Sequence, residues 1–280
     1  MYTVDKALDI LTSTSPKIVS DKQYWLDNYN KLKNTDTLIV QMANYIKPYK
    51  EEIVTSPTPI KDVYYTETKN GTRQIFMHPS QFRIDVYPKM VGVNTLTKYK
   101  YASNGSFFGG NPVYSTTPLI VDGEILRWGS NYGKAQSCLI IYKDNTVEML
   151  KLNSVAELGN RLYSIKYLIG GIGLVNKSDP NFKYNPASEG YTGSILSGVT
   201  RKCNKTCIGY IKDSNEIILL TRPNIYHSSN NQYNLLDLMA DCFWDFGIAL
   251  DGSGSSFMIA DGKYKLRGDG RKIYSVLYAE

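Results

Sequence analysis

Three short segments carry residue types that could do hydrolytic chemistry. Leu250-Asp251-Gly252-Ser253-Gly254-Ser255 places a carboxylate at the end of an apolar run and follows it with a glycine- and serine-rich turn. Small neighbours leave room around Asp251 for a substrate, and successive backbone N–H groups in such a turn can gather an anion. Asn104-Gly105-Ser106-Phe107-Phe108-Gly109-Gly110 offers an amide that both donates and accepts, beside glycines that let the backbone approach a ligand. Arg201-Lys202-Cys203-Asn204-Lys205-Thr206 concentrates positive charge that could balance a phosphate. Each segment also has a plainer reading: an aspartate satisfying its own turn amides, a tight turn with a core aromatic, and a solvated basic loop. Gly170-Gly171-Ile172-Gly173 lacks the spacing of a dinucleotide fingerprint and reads as close backbone packing.

Composition removes several classes of function. His78 and His227 are the only histidines, so a histidine-rich metal centre is excluded, and a Ser-His-Asp mechanism would have to use one of these two. Cys138, Cys203, Cys207 and Cys242 lack zinc-ligand spacing and read as small buried apolar residues, with a Cys203–Cys207 disulfide as the lesser alternative. The net charge of +6 rests mostly on lysine and favours anionic partners, yet no basic run is dense enough for a nucleic-acid footprint. No apolar run approaches the roughly 20 residues of a membrane helix. The first residues carry charge inside their apolar stretch, so no secretory signal is expected. The expectation is synthesis in the cytoplasm, with virion association or lysis as the way out.

The elements that must hold these segments fall into two parts. Residues 1–56 read as a small helical module, with Ser20 and Gln23 forming a capping box, and the Thr/Pro stretch near 54–60 marks the boundary. Residues 57–280 read as short strands joined by tight turns. Asn70-Gly71, Asp122-Gly123, Lys143-Asp144-Asn145 and Asp213-Ser214-Asn215 each sit between alternating apolar runs, which predicts hairpins and antiparallel pairing. Leu235, Leu236, Leu238, Met239, Cys242, Phe243 and Phe246 fall at helical spacing, with Asn234 as cap and Gly247 as stop. The expected class is therefore α+β: a mainly antiparallel sheet body with one packed helix, preceded by the N-terminal helical module.

The order of these pieces resembles the phosphodiester glycosidase family, whose members include the lysosomal uncovering enzyme and bacterial and phage proteins. The likeness spans about residues 61–280. It rests on NGSFF at 104–108, the Asp122-Gly123 hairpin, GGIGLV at 170–175, KTCIGY at 205–210 before a hairpin, LDGSGSS at 250–256, and a last strand begun by Arg271. Three positions depart from the family pattern. Ser106 and Ser253 each stand where the family has glycine, and Asn204-Lys205-Thr206 replaces a proline-arginine-threonine triplet. Lys205 keeps the charge but lacks the bidentate guanidinium fork.

This resemblance implies a hydrolase of sugar-1-phosphodiesters, acting on a cell-wall or envelope glycan. Asp251 and Lys205 are the expected catalytic residues, the lysine balancing phosphate charge together with Arg201. Asn104, Gly105, Ser106, Arg201, Thr206, Gly252, Ser253 and Ser255 are the expected substrate contacts. A glycosidic mechanism ordinarily uses a second carboxylate, for which Asp122, Glu189 and Asp245 stay open. The motifs require no metal, though a polar aspartate site is compatible with a divalent ion. The alternative is a non-catalytic module binding a glycan or phosphate polymer, as in a phage tail, with residues 1–56 serving attachment or homo-oligomerisation.

Overall fold

The computed structural model describes residues 60–130, 132–192, 203–223 and 243–280. The N-terminal module, Arg201, His227 and the expected helix from Asn234 to Cys242 lie outside these residues. In chain order the strands are β1 (Tyr64–Glu67), β2 (Arg73–Met77), β3 (Phe82–Gly92), β4 (Tyr101–Asn104), β5 (Phe108–Gly109), β6 (Tyr114–Ser115), β7 (Leu119–Val121), β8 (Glu124–Arg127) and β9 (Gln136–Tyr142). They continue with β10 (Val147–Leu152), β11 (Ile165–Asn176), β12 (Lys205–Ile211), β13 (Glu216–Arg222), β14 (Phe246–Ala249), β15 (Met258–Ala260), β16 (Lys263–Leu266) and β17 (Lys272–Ala279).

Ten strands form a large sheet in the order β1-β2-β13-β12-β14-β11-β7-β8, with β9 and β10 attached through β11. Five more form a second sheet, β16-β15-β4-β17-β3, and β5 pairs with β6 as a short ribbon. Alternation along the strands decides what lies between the two sheets. Ile208, Tyr210, Leu219 and Ile248 of the large sheet share a core with Ile84, Tyr101, Met258 and Leu277 of the smaller one. Their neighbours Cys207, Ile218, Leu220 and Ala249 face the other side of the large sheet, with Trp244, Phe107 and Tyr191. The hairpin signals coincide with the turns: Asp122 and Gly123 have φ of 48° and 75°, and Asn145, Asn215 and Gly71 also take positive φ.

The α+β expectation is corrected. Every described ladder is antiparallel, and the described helical segments are short 3-10 turns, the longest (Val155–Ser164) broken at Gly159. The described body is sheet on sheet, not a sheet carrying a packed helix. The helical period read through Phe246 ends earlier, because Phe246-Gly247-Ile248-Ala249 is strand β14, paired with β12 and β11. Gly247 is not a helix stop. It lies opposite Gly209 in the ladder, and a Cβ on either residue would collide with the Trp244 indole, which rests on this two-glycine floor.

Candidate active site

The site forms where β4, β12 and β14 end together. Antiparallel pairing of β12 with β14 aligns Cys207 with Ala249, and the Leu250 N–H donates to the Thr206 carbonyl at 2.9 Å. One residue further, the Asp251 N–H reaches the Gly105 carbonyl at 3.3 Å, and the Ser253 N–H reaches the Asn204 carbonyl at 2.7 Å. Three segments distant in sequence thus meet through backbone hydrogen bonds.

Asn104 is the knot of this junction. It is 1% exposed. Its Nδ2 donates to the Asp251 carbonyl at 2.5 Å, and its Oδ1 accepts from the Phe257 N–H at 3.1 Å and the Thr206 hydroxyl at 2.9 Å. Thr206 Oγ1 also lies 2.9 Å from Ser256 Oγ. Buried polar groups carry a heavy cost when unpaired, so these bonds spend the amide and the hydroxyl on the protein. The hydrogen bonds of Asn104 and Thr206 thus run to the Asp251 carbonyl, to Phe257 and Ser256, and to each other. Ser106 also points into protein: its N–H donates to Ser275 Oγ at 2.9 Å, and the two hydroxyl oxygens lie 3.0 Å apart.

Asp251 itself is half-buried. Enclosure by protein pushes its carboxyl up to about 6, against the opposing pull of the Ser255 hydroxyl, the Arg271 charge and the Gly252 N–H. Ser253 has φ of 59°, a left-handed conformation that suits glycine. The turn then closes through Ser255 N–H to Gly252 O at 3.2 Å.

Arg271 is the cation whose charge acts on Asp251. It stands at the entrance to β17 and is gripped by Asp269: Nη2 lies 2.5 Å from Oδ2, and Nε lies 3.0 Å from Oδ1. This bidentate grip holds the Asp269 carboxyl below its ordinary range and raises the guanidinium. Gly254 makes the approach feasible, since a Cβ there would collide with both Asp269 Oδ2 and Arg271 Nη2. The Asp269 N–H also donates to the Gly254 carbonyl at 3.0 Å. Both ends of the ion pair stay about half exposed, so the guanidinium can meet a ligand from solvent.

Lys205 is 6% exposed, pairs across the ladder with Arg222 (3% exposed), and donates to Cys203 Sγ at 3.2 Å. Extending the β12–β14 register by two residues sets it opposite Asp251. Cys203 and Cys207 are not joined by the disulfide weighed as the lesser alternative. Of the three acidic alternatives, Asp122 is a hairpin turn residue with positive φ. Asp245 precedes β14 and so lies at the opposite end of that strand from Asp251, bound to the Lys212 N–H at 2.8 Å. Glu189 is buried and accepts from the Ser137 N–H (3.1 Å), the Ser137 hydroxyl (2.9 Å) and the Gly173 N–H (3.3 Å). A cleft of about 410 Å³, lined by residues including Glu148, Lys151, Asp179, Phe182 and Lys212, opens at the Phe246 end of β14.

No family model matches this sequence, and no curated protein does. Among solved structures, the fold is similar to the catalytic domain of zebrafish N-acetylglucosamine-1-phosphodiester alpha-N-acetylglucosaminidase, auto-inhibited by its pro-peptide. The TM-score is 0.60 at 19% identity, over 81% of this chain and 85% of that one. The kinship is one of fold. A hypothetical protein from Synechocystis (TM-score 0.52, 10% identity, 79% of this chain and 64% of that one) and a protein from Burkholderia pseudomallei (0.52, 11%, 74% and 73%) share it. Among the described residues no helix is long and apolar enough to cross a membrane.

Sequence reasoning did not single out the Asp269–Arg271 ion pair. The signal was present as Arg267-Gly268-Asp269-Gly270-Arg271, an acid and a base two residues apart between glycines, at the mouth of the last strand. Gly268 and Gly270 take φ of 61° and 79°, which turns this loop back onto Gly254.

Proposed function

We propose that this protein hydrolyses sugar-1-phosphodiesters, with Asp251 as the base and Arg271 as the receiver of the departing phosphate. The observation that carries the reading is one carboxyl raised to about 6 beside a guanidinium locked by Asp269. Ordinary glycosidases use two carboxyl groups because a departing sugar alkoxide needs a proton. A phosphate monoester leaves as a stable anion, so one base and one cation suffice. In this scheme a water oxygen attacks the anomeric carbon and gives its proton to Asp251. The bond between that carbon and the phosphate oxygen breaks, and the electron pair leaves on the phosphate beside Arg271. Asp251 then releases its proton to solvent. A carboxyl raised toward neutrality is a stronger base than a free one, which favours the first step. The likeness in fold to an enzyme named for cleaving a sugar-1-phosphodiester supports the same reading.

The test is a panel of UDP-linked hexoses and N-acetylhexosamines, scored for free reducing sugar. Turnover that rises with pH through about 6, levels off above it, and disappears in a folded D251N supports the hydrolase. Binding of the panel with no release of sugar from any member would instead identify a glycan-phosphate binding module.

A further inference from the structure

We infer that the partly exposed Tyr132 is the platform on which the sugar ring of the substrate stacks, an inference that rests on the phosphodiester reading. Tyr132 tops a short column of aromatic rings. Its centroid lies 4.7 Å from that of Tyr191, which is fully buried, and Tyr191 lies 5.7 Å from Phe107, which is nearly so. Only the top ring of the column retains appreciable exposure. Its orientation is fixed at both ends: the phenol oxygen is 3.0 Å from Thr116 Oγ1, and the backbone N–H donates to Ser130 Oγ at 2.9 Å. Gly190, at φ 83°, lets the neighbouring loop close over the backbone of Tyr132, where any Cβ would collide with the Tyr132 carbonyl.

The column belongs to the apolar cluster on the face of β12 and β14 whose chain leads on to Asp251. Tyr132 packs on the cluster that contains Phe107, Cys207 and Ala249. Ala249 precedes Asp251 by two residues on the same extended chain, and Phe107 follows Gly105, whose carbonyl receives the Asp251 N–H. Burial raises the Tyr132 phenol, the Thr116 hydrogen bond opposes that rise, and the Asp251 charge adds a smaller push upward. A pyranose presents C–H groups on its faces and hydroxyls around its rim. An aromatic ring covers such a face, and one already fixed by packing surrenders little freedom when it does so. The charge requirement of the other half of the substrate is met by Arg271, whose charge also acts on Asp251. The substrate is thereby oriented with its sugar over Tyr132, its phosphate at Arg271, and the bond between them at Asp251.

The experiment measures binding of UDP and of UDP-N-acetylglucosamine, UDP-glucose and UDP-galactose to catalytically inert D251N by calorimetry. The sugar increment is the affinity ratio between the best UDP-sugar and UDP, expected at ~10-fold. Adding Y132A should erase that increment and leave UDP affinity unchanged, whereas Y132F should keep it. Y132L, which keeps apolar volume, replaces Y132A if the alanine variant is unfolded. A sugar increment that persists in the folded alanine or leucine variant overturns the platform while leaving the hydrolase reading intact. Failure of D251N to bind any of the four ligands, together with no turnover by the wild type, overturns both.

Discussion

Replacing Asp251 by asparagine should make the protein more stable, by an amount that depends on pH. The folded carboxyl sits at about 6, against 3.8 for the free side chain, a rise of about two units. Because the folded pKa is the higher one, the folded state holds a proton that the unfolded chain has already lost between these values. Stability from this group is therefore complete below about pH 4 and is lost as pH rises through about 6. One unit corresponds to about 1.4 kcal/mol, so the ionised carboxylate costs about 2–3 kcal/mol at pH 8, allowing for its partial exposure. Asparagine resembles the protonated acid in shape and can still accept the Ser255 hydroxyl. The two proteins should unfold alike at pH 4, and D251N should gain about 2–3 kcal/mol over wild type at pH 8. In urea that is a midpoint shift of about 1 M. Equilibrium urea denaturation at both pH values is the assay. If D251N has the same or a lower midpoint than wild type at pH 8, enclosure does not strain the carboxylate, and the argument for a base near neutrality fails.

Two further substitutions separate positioning from packing. G254A puts a methyl group where Asp269 and Arg271 meet, and both of those side chains can move aside into solvent. Sugar release should fall about 10²-fold, the cost of losing an electrostatic stabiliser, while the thermal midpoint shifts by less than about 2 °C. N104D exchanges the donor facing the Asp251 carbonyl for an acceptor and leaves that carbonyl opposed by like charge. It should destabilise by about 3 kcal/mol in urea denaturation and abolish activity, a loss larger than that of a surface Asn→Asp change.

The sheet-rich body was legible because its turns have local chemistry. Asp122-Gly123 and Asn145 need positive φ, and only a few residue types tolerate it. The stretch from Phe243 to Gly247 was not legible, because helical spacing and strand alternation overlap when nearly every residue is apolar, although the strand residues Ile248 and Ala249 just beyond it were. What decides for strand there is Trp244 lying on Gly209, a contact between residues 35 positions apart that no local window contains. The candidate site shows the same division. Asp251 and Asn104 drew attention because a polar residue beside glycines is unusual, and the structure shows the Asn104 amide bonded to Asp251, Thr206 and Phe257. Residue type alone does not say whether an amide will hold a ligand or a backbone carbonyl. Arg271 and Tyr132 draw their significance from long-range neighbours, Gly254 for the one and Tyr191 for the other. In a chain with 23 tyrosines, nothing local marks one as the exposed member of a buried column.

The most direct test of the central claim is a crystal structure of D251N soaked with the UDP-sugar that wild type turns over fastest. The account predicts a phosphate oxygen at the Arg271 guanidinium and the anomeric carbon within about 3.5 Å of the side chain at 251, the separation of groups poised to react. Ligand bound instead in the cleft at the Phe246 end of β14, or sugar and phosphate both remote from residue 251, would contradict it.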